Sequence, residues 1–332
     1  SSHSIRLRSK GTVMAQPACS EKEFIELFKL HRSPKKVADI LGISDRTVHA
    51  RKKSIELRLG IKLESNDNQG RPKFTIPENK MRCEYELKNG IIIVGSDCHY
   101  NPEYITTAHR AFVHFIKQLK PSMCVLNGDL FDFAQISAHH RIGWQKHPTV
   151  QEELEEVQNR LGDIEKVRPP GCILHRTIGN HDLRFSGKLS NLVGQYEGVK
   201  GMDLDDHLPG WSSSWSLVVN GNTMIKHRWH NGIHAVYNNI LKGGMSMVTG
   251  HLHSLKVTPW TNYKGDLYGV DTGMMAAVKD DQFLYHEDAS VNWRAGFAVL
   301  TYINGHLMPP ELVQVINEDE GLVFFRGELF TV

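Results

Sequence analysis

Gly179-Asn180-His181-Asp182 sets an amide, an imidazole and a carboxylate side by side, directly after a glycine that lets the backbone turn sharply. Alone, the tetrapeptide proves little. Its weight comes from four blocks placed in order around it: Asp97-Cys98-His99, Gly128-Asp129-Leu130-Phe131-Asp132, His227, and Gly250-His251-Leu252-His253. Each stands where a short apolar run ends, so the side chains could converge at one edge of a sheet. Together they offer carboxylate oxygen, amide oxygen and imidazole nitrogen, enough for two divalent metals sharing one bridging carboxylate. Asp97 and His99 are two apart, as are His251 and His253, so on a plain strand each pair would share a face. Asp129 can bridge both ions, while Asp132 buttresses the loop.

The elements that must position these blocks follow from the apolar pattern. Residues 91–94, 123–126 and 173–178 read as strands, separated by helices over 102–119 and 149–167, which implies a parallel core built from β-α-β units. Residues 216–219 and 223–227, joined at Asn220-Gly221, read as a hairpin. A helix over 233–241 and strands over 246–249, 267–270, 296–303 and 307–316 follow, so the second half adds a mainly antiparallel sheet. The architecture expected is α/β, two sheets packed face to face with helices outside.

The N-terminal part differs in character. Residues 1–80 carry 17 Lys and Arg against 9 Asp and Glu, a balance of +8, and the remainder carries 22 against 28, a balance of −6. A basic piece joined to a mildly acidic body suggests a polyanion-seeking module attached to a catalytic one. Helices over 21–30 and 34–41 and a third from Ser44 resemble a small all-α helix-turn-helix module spanning 20–60, with Val37, Ala38, Ile40 and Leu41 turned inward. Its third helix would present Arg46, Thr47, His49, Arg51 and Lys52 to phosphates and base edges. A solvated basic face serving protein assembly is the other reading. Residues 61–90 read as a linker and 91–332 as the main domain. Residues 1–19 read as a disordered N-terminus or cloning remnant, with Met14 a candidate natural start. Five scattered cysteines argue for reduced thiols in a cytoplasm. No stretch approaches the roughly 18 uninterrupted apolar residues of a membrane span.

The ordered blocks are similar to the calcineurin-like metallophosphoesterase superfamily, whose pattern is D-x-H, G-D-x-x-D, G-N-H-[DE], H, G-H-x-H. The likeness runs over roughly residues 91–310, and the spacing and the Gly179-to-Arg184 run are similar to compact phage- and prophage-type members. The resemblance implies the metallophosphoesterase fold, with Asp97, His99, Asp129 and His253 holding one metal and Asp129, Asn180, His227 and His251 the other. It puts His181 at the substrate phosphate, oriented by Asp182. His227 ends the hairpin strand and stands 24 residues before His251; His230 is the alternative. Arg184 could hold a substrate phosphate or pair with the body.

Two cations about 3.5–4 Å apart would lower the pKa of a shared water, and His181 would stand near the leaving group. Manganese is favoured, with iron, zinc, nickel, magnesium or calcium as alternatives. Three functions remain: a phosphodiesterase or nuclease acting on DNA, a phosphomonoesterase, and a DNA-binding regulator with an inactive body. The intact ligand blocks argue against the last.

Overall fold

Ser20, Ser33 and Ser44 each start a helix: α1 (Glu21–His31), α2 (Pro34–Leu41) and α3 (Asp45–Leu59). Each serine hydroxyl accepts a backbone N–H from the first turn, and Glu23 returns the bond to Ser20. In the computed structural model, residues 19–63, 65, 79, 81–140, 143–263, 265–279 and 281–332 are described. The chain divides into two units, Ser1–Ile76 and Pro77–Val332. The expectations for residues 1–18 and for most of the linker fall outside the described residues.

In the first unit Phe24, Phe28, Val37, Ala38, Val48, Ile55 and Leu63 form one apolar core. Ile40, expected inside, is 52% exposed. Two of the residues expected to face DNA also pack within the unit. The Arg51 guanidinium lies 4.9 Å from the Phe24 ring centre and donates to the Cys19 carbonyl. The Lys52 ammonium lies 4.9 Å from the Phe28 ring centre, and 3.8 Å from the Glu56 carboxylate. Positions 51 and 52 follow Val48 by one helical turn, so their stems share its inward flank. Arg46, Thr47, His49 and Lys53 stay exposed.

The second unit opens with β1 (Arg82–Tyr85), a segment that reads as linker in the sequence. Then come β2 (Gly90–Gly95), α4 (Thr107–Leu119), β3 (Met123–Asn127), α5 (Val150–Val167), β4 (Ile173–Thr177) and α6 (Leu183–Val193). Next are β5 (Ser212–Ser214), β6 (Ser216–Val219), β7 (Thr223–Ile225), α7 (Ala235–Gly243), β8 (Ser246–Thr249), β9 (Lys256–Asn262) and β10 (Gly265–Asp271). The chain closes with β11 (Gly296–Ile303), β12 (His306–Leu307), β13 (Glu311–Asn317), β14 (Leu322–Phe325) and β15 (Glu328–Thr331).

Two sheets form, ordered β15-β14-β13-β11-β2-β3-β4-β5 and β1-β6-β7-β8-β10-β9, with β12 paired to β11. Ile92, Val94 and Val125 of the first sheet meet Leu217, Ile225 and Val248 of the second in one core. The alternate residues Ile93, Cys124 and Leu126 turn the other way, under Phe112 and Phe115 of α4 and Val157 and Ile164 of α5. The expected sandwich flanked by helices is therefore present.

Sheet membership departs from expectation. The second sheet is mixed, because β1–β6, β7–β8 and β8–β10 are parallel pairs. The antiparallel strands β11, β13, β14 and β15 extend the first sheet instead, through β11 against β2. The single strand expected over 307–316 is interrupted at Pro309-Pro310, which have no N–H for a ladder.

Candidate metal centre

Every block lies just past the C-terminal end of a strand: Asp97 and His99 after β2, Asp129 after β3, Asn180 and His181 after β4, His227 after β7, and His251 and His253 after β8. The strand ends converge, so residues from five segments meet. Ligand atoms of Asp97, His99 and His253 lie within 4.8 Å of one another, as do those of Asp129, His227 and His251, and those of His99, Asp129 and His181. Asp129 belongs to two of the groups. His253 Nε2 is 3.1 Å from Asp97 Oδ1, and His227 Nε2 is 3.0 Å from Asp129 Oδ2. His227 Nδ1 stands 2.7 Å from the Asn127 carbonyl, which holds the ring. His230 joins none of the groups and stacks on Trp229, so the geometry selects His227.

The i, i+2 pairs reach the cluster through loop conformation and not through strand pleat. Asp97, His99, Asp129, His251 and His253 all have left-handed backbones, with φ of 51°, 39°, 52°, 70° and 59°. Such conformations are costly for residues with side chains and persist where surrounding structure enforces them. Here the enforcement is mutual: Asp97 Oδ2 accepts the His251 N–H at 2.8 Å, and Asp129 Oδ1 accepts the His181 N–H at 2.8 Å. The motif glycines are demanded by the same crowding. A Cβ at Gly179 would collide with the Asp129 carboxylate, and one at Gly250 would stand 2.5 Å from Asp97 Oδ2.

The electrostatics call for positive charge. Burial alone would raise the Asp97 carboxyl, yet the His253 and His227 imidazoles bring it down to about 2. Burial likewise opposes a charged His227, but Asp129 and Asp97 push it up to about 10. His251 goes the other way, to about 4, through burial and the neighbouring His227. Asn180 Oδ1 is buried with no hydrogen-bond partner. Carboxylates, imidazoles and an orphaned amide oxygen on a residue that lines one cleft with His227 are the kinds of donor a pair of divalent cations takes. The residues fit the group.

His181 and Asp182 are arranged differently from the expectation. The Asp182 carboxylate does not reach the His181 ring. It accepts backbone N–H bonds from Gly179 at 2.9 Å and from Asp129 and Leu130 at 3.0 Å, which ties the β3 and β4 loops together. Asp132 orients the imidazole instead, with Oδ1 2.9 Å from His181 Nδ1. Burial would lower the His181 pKa, but this bond and the Asp129 charge raise it. Arg184 donates to the Asp132 carbonyl at 2.6 Å and stands 3.3 Å from His181 Nε2, so it braces this loop. Asp182→Asn is therefore expected to cost about 1–3 kcal/mol in urea unfolding of the metal-free protein, the scale of leaving a buried donor unpaired. Stability equal to the parent chain would remove Asp182 from the loop-tying role.

Three contributors escaped the sequence reading. Glu153 of α5 accepts the Asp132 and Phe133 N–H groups at 3.0 and 2.7 Å. Phe283 and Trp293 wall the site, with ring centres 5.4 Å from His99 and 4.7 Å from His253 respectively. Only the helical stripe of α5 hinted at Glu153, and nothing local marked the two aromatics.

Fold and site thus define a two-sheet α/β domain carrying a ligand cluster suited to a pair of cations. No family model matches the chain. It is 25% identical over 237 residues to the gene 54 protein of Mycobacterium phage L5, a match covering 63% of this chain and 87% of that protein. Against the gene 54 protein of Mycobacterium phage D29 the identity is 26%, with the same coverage. Among solved structures, Vps29 of Entamoeba histolytica complexed with zinc aligns at TM-score 0.39 and 11% identity, covering 72% of this chain and 98% of that one. Vps29 of Chaetomium thermophilum aligns at TM-score 0.37 and 12% identity, covering 73% and 98%.

Proposed function

We propose that the chain is a metal-dependent phosphoesterase, and specifically a phosphodiesterase acting on DNA. The observation that carries the reading is that two ligand groups, Asp97, His99 and His253 on one side and Asp129, His227 and His251 on the other, are linked through the close approach of His99 to Asp129, while Asn180 keeps a buried oxygen unpaired. Asp97, His99, Asp129 and His253 would hold one cation, and Asp129, Asn180, His227 and His251 the other, with manganese favoured. When bound, the pair supplies Lewis acidity toward phosphoryl oxygens and an acidified water. Asp132 holds His181 at Nδ1; Nε2, which here faces the Arg184 guanidinium at 3.3 Å, would pass a proton to the leaving alkoxide once that contact gives way to substrate. The raised basicity of His181 favours the protonated form that this step uses. Arg184 keeps the loop carrying Asp132 in place. All five cysteines are unpaired, in keeping with action in a cytoplasm, and among the described residues no helix is long and apolar enough to cross a membrane.

A panel of diester, monoester, single-strand and duplex substrates, each with several divalent metals, tests the reading. Diester cleavage well above monoester cleavage is expected. The reverse preference would make the chain a phosphomonoesterase, and no turnover with any metal would leave an inactive body.

The nucleic-acid part is supported by the exposed Arg46, Thr47, His49 and Lys53 on α3, in a helix–turn–helix arrangement. Replacing Arg46, His49 and Lys53 with alanine is expected to weaken binding of long DNA about tenfold or more at low salt. The deficit should shrink as salt rises, because phosphate contacts act through counterion release. Arg51→Ala should instead lower the melting temperature of the small unit, having lost its packing on Phe24. Unchanged DNA affinity of the triple variant across a salt series would assign the basic face to assembly.

A further inference from the structure

Next to Asn180 and His227 the second unit is hollowed into a cleft of about 420 Å³ that both residues line. Its walls include Lys226 and Arg228, the sequence neighbours of His227, and the side chains of Trp215, Met81 and Leu183. No aspartate or glutamate is among its described lining residues. Lys226 is half-buried, with its ammonium 5.6 Å from the Trp229 ring centre, and among the described residues it makes no ion pair with a carboxylate. Arg228 is exposed and likewise unpaired among them. Trp215, 43% exposed, lines the cleft, with its backbone N–H fixed on the Met81 carbonyl at 2.8 Å.

Each feature answers to a different part of one ligand. Two cations without carboxylate partners, one of them taken partly out of water, suit a phosphate, whose oxygens accept charge-assisted hydrogen bonds. An exposed tryptophan lining the same cleft suits a flat aromatic ring joined to that phosphate, as in a nucleotide. Resting on the phosphoesterase reading, we propose that this cleft is a nucleotide subsite. In it Lys226 and Arg228 take a phosphate and Trp215 stacks on the attached base, beside the phosphoester at Asn180 and His227. A base can reach the indole face only when unstacked, so the subsite takes a free nucleotide or one within a single strand, and excludes an intact duplex.

Binding to the full-length protein in chelator, read by calorimetry, tests this apart from turnover. The probes are adenosine monophosphate, inorganic phosphate, and a phosphorothioate oligonucleotide as single strand and as a duplex long enough to stay paired at the assay temperature. Trp215→Ala should weaken adenosine monophosphate about tenfold, the scale of one lost base–aromatic stack, and leave inorganic phosphate unchanged. Trp215→Phe should restore most of the loss. Lys226→Gln and Arg228→Gln should weaken both probes, with unchanged melting temperature showing that each variant is folded. A single strand that loses more affinity than the mononucleotide on Trp215→Ala identifies a strand as the source, and equal losses identify the free nucleotide. Trp215→Ala that binds adenosine monophosphate as the parent chain does, a duplex weakened by Trp215→Ala as much as the single strand, or no saturable binding of adenosine monophosphate would overturn the subsite. Trp215-dependent binding without hydrolysis under any metal would instead sink the phosphoesterase reading and leave the subsite standing.

Discussion

Asp129→Asn is expected to cut phosphoester hydrolysis by more than about 10³-fold, beyond the usual 10²–10³ for removing one transition-state donor. It should also weaken occupancy of both cation positions. The reason is geometric. Asp129 stands in two of the three ligand groups, one oxygen 3.0 Å from His227 Nε2 and the other accepting the His181 N–H at 2.8 Å. An amide keeps one accepting oxygen and loses the charge that two cations would share. Metal content and turnover measured together check this. A variant that loses one ion and keeps most of its activity would show that Asp129 serves a single position.

The second large effect falls on His181. His181→Ala should leave both cations bound and lower turnover by about 10²–10⁴, the range for a positioned proton donor. The loss should shrink for nitrophenyl esters, whose leaving group needs little protonation. Because Asp132 raises the imidazole basicity, Asp132→Asn has a signed consequence for the pH profile. Activity that needs the protonated ring is lost as pH rises through its pKa, and removing the Asp132 charge moves that loss to lower pH, toward the ordinary imidazole value of about 6.5. An equal loss for good and poor leaving groups would reassign His181 to phosphate binding.

The candidate ligands could be proposed from sequence because their chemistry is local. Each block is one to five residues long and follows a strand, so the ligand types and order could be read before any partner strand was known. What could not be read is non-local. The apolar runs over 296–303 and 311–317 announce strands but not that β11 pairs with β2 in the first sheet. The pleat argument for Asp97/His99 and His251/His253 reached a shared direction through the wrong geometry, since left-handed loops beyond the strands aim these side chains. Adjacency misled at Asp182, which touches backbone N–H groups, whereas Asp132, 49 residues before His181, holds the ring. Charge alone did not show that Arg51 and Lys52, in helical phase with Val48, also lie against Phe24 and Phe28.

The central claim is that one carboxylate joins two cations in this domain. Electron paramagnetic resonance of the manganese-loaded protein, with metal content measured on the same sample, tests it most directly. Two manganese ions per chain giving an exchange-coupled spectrum, which Asp129→Asn abolishes, is the result expected. One ion per chain, or two that give only the uncoupled six-line signal, would contradict it.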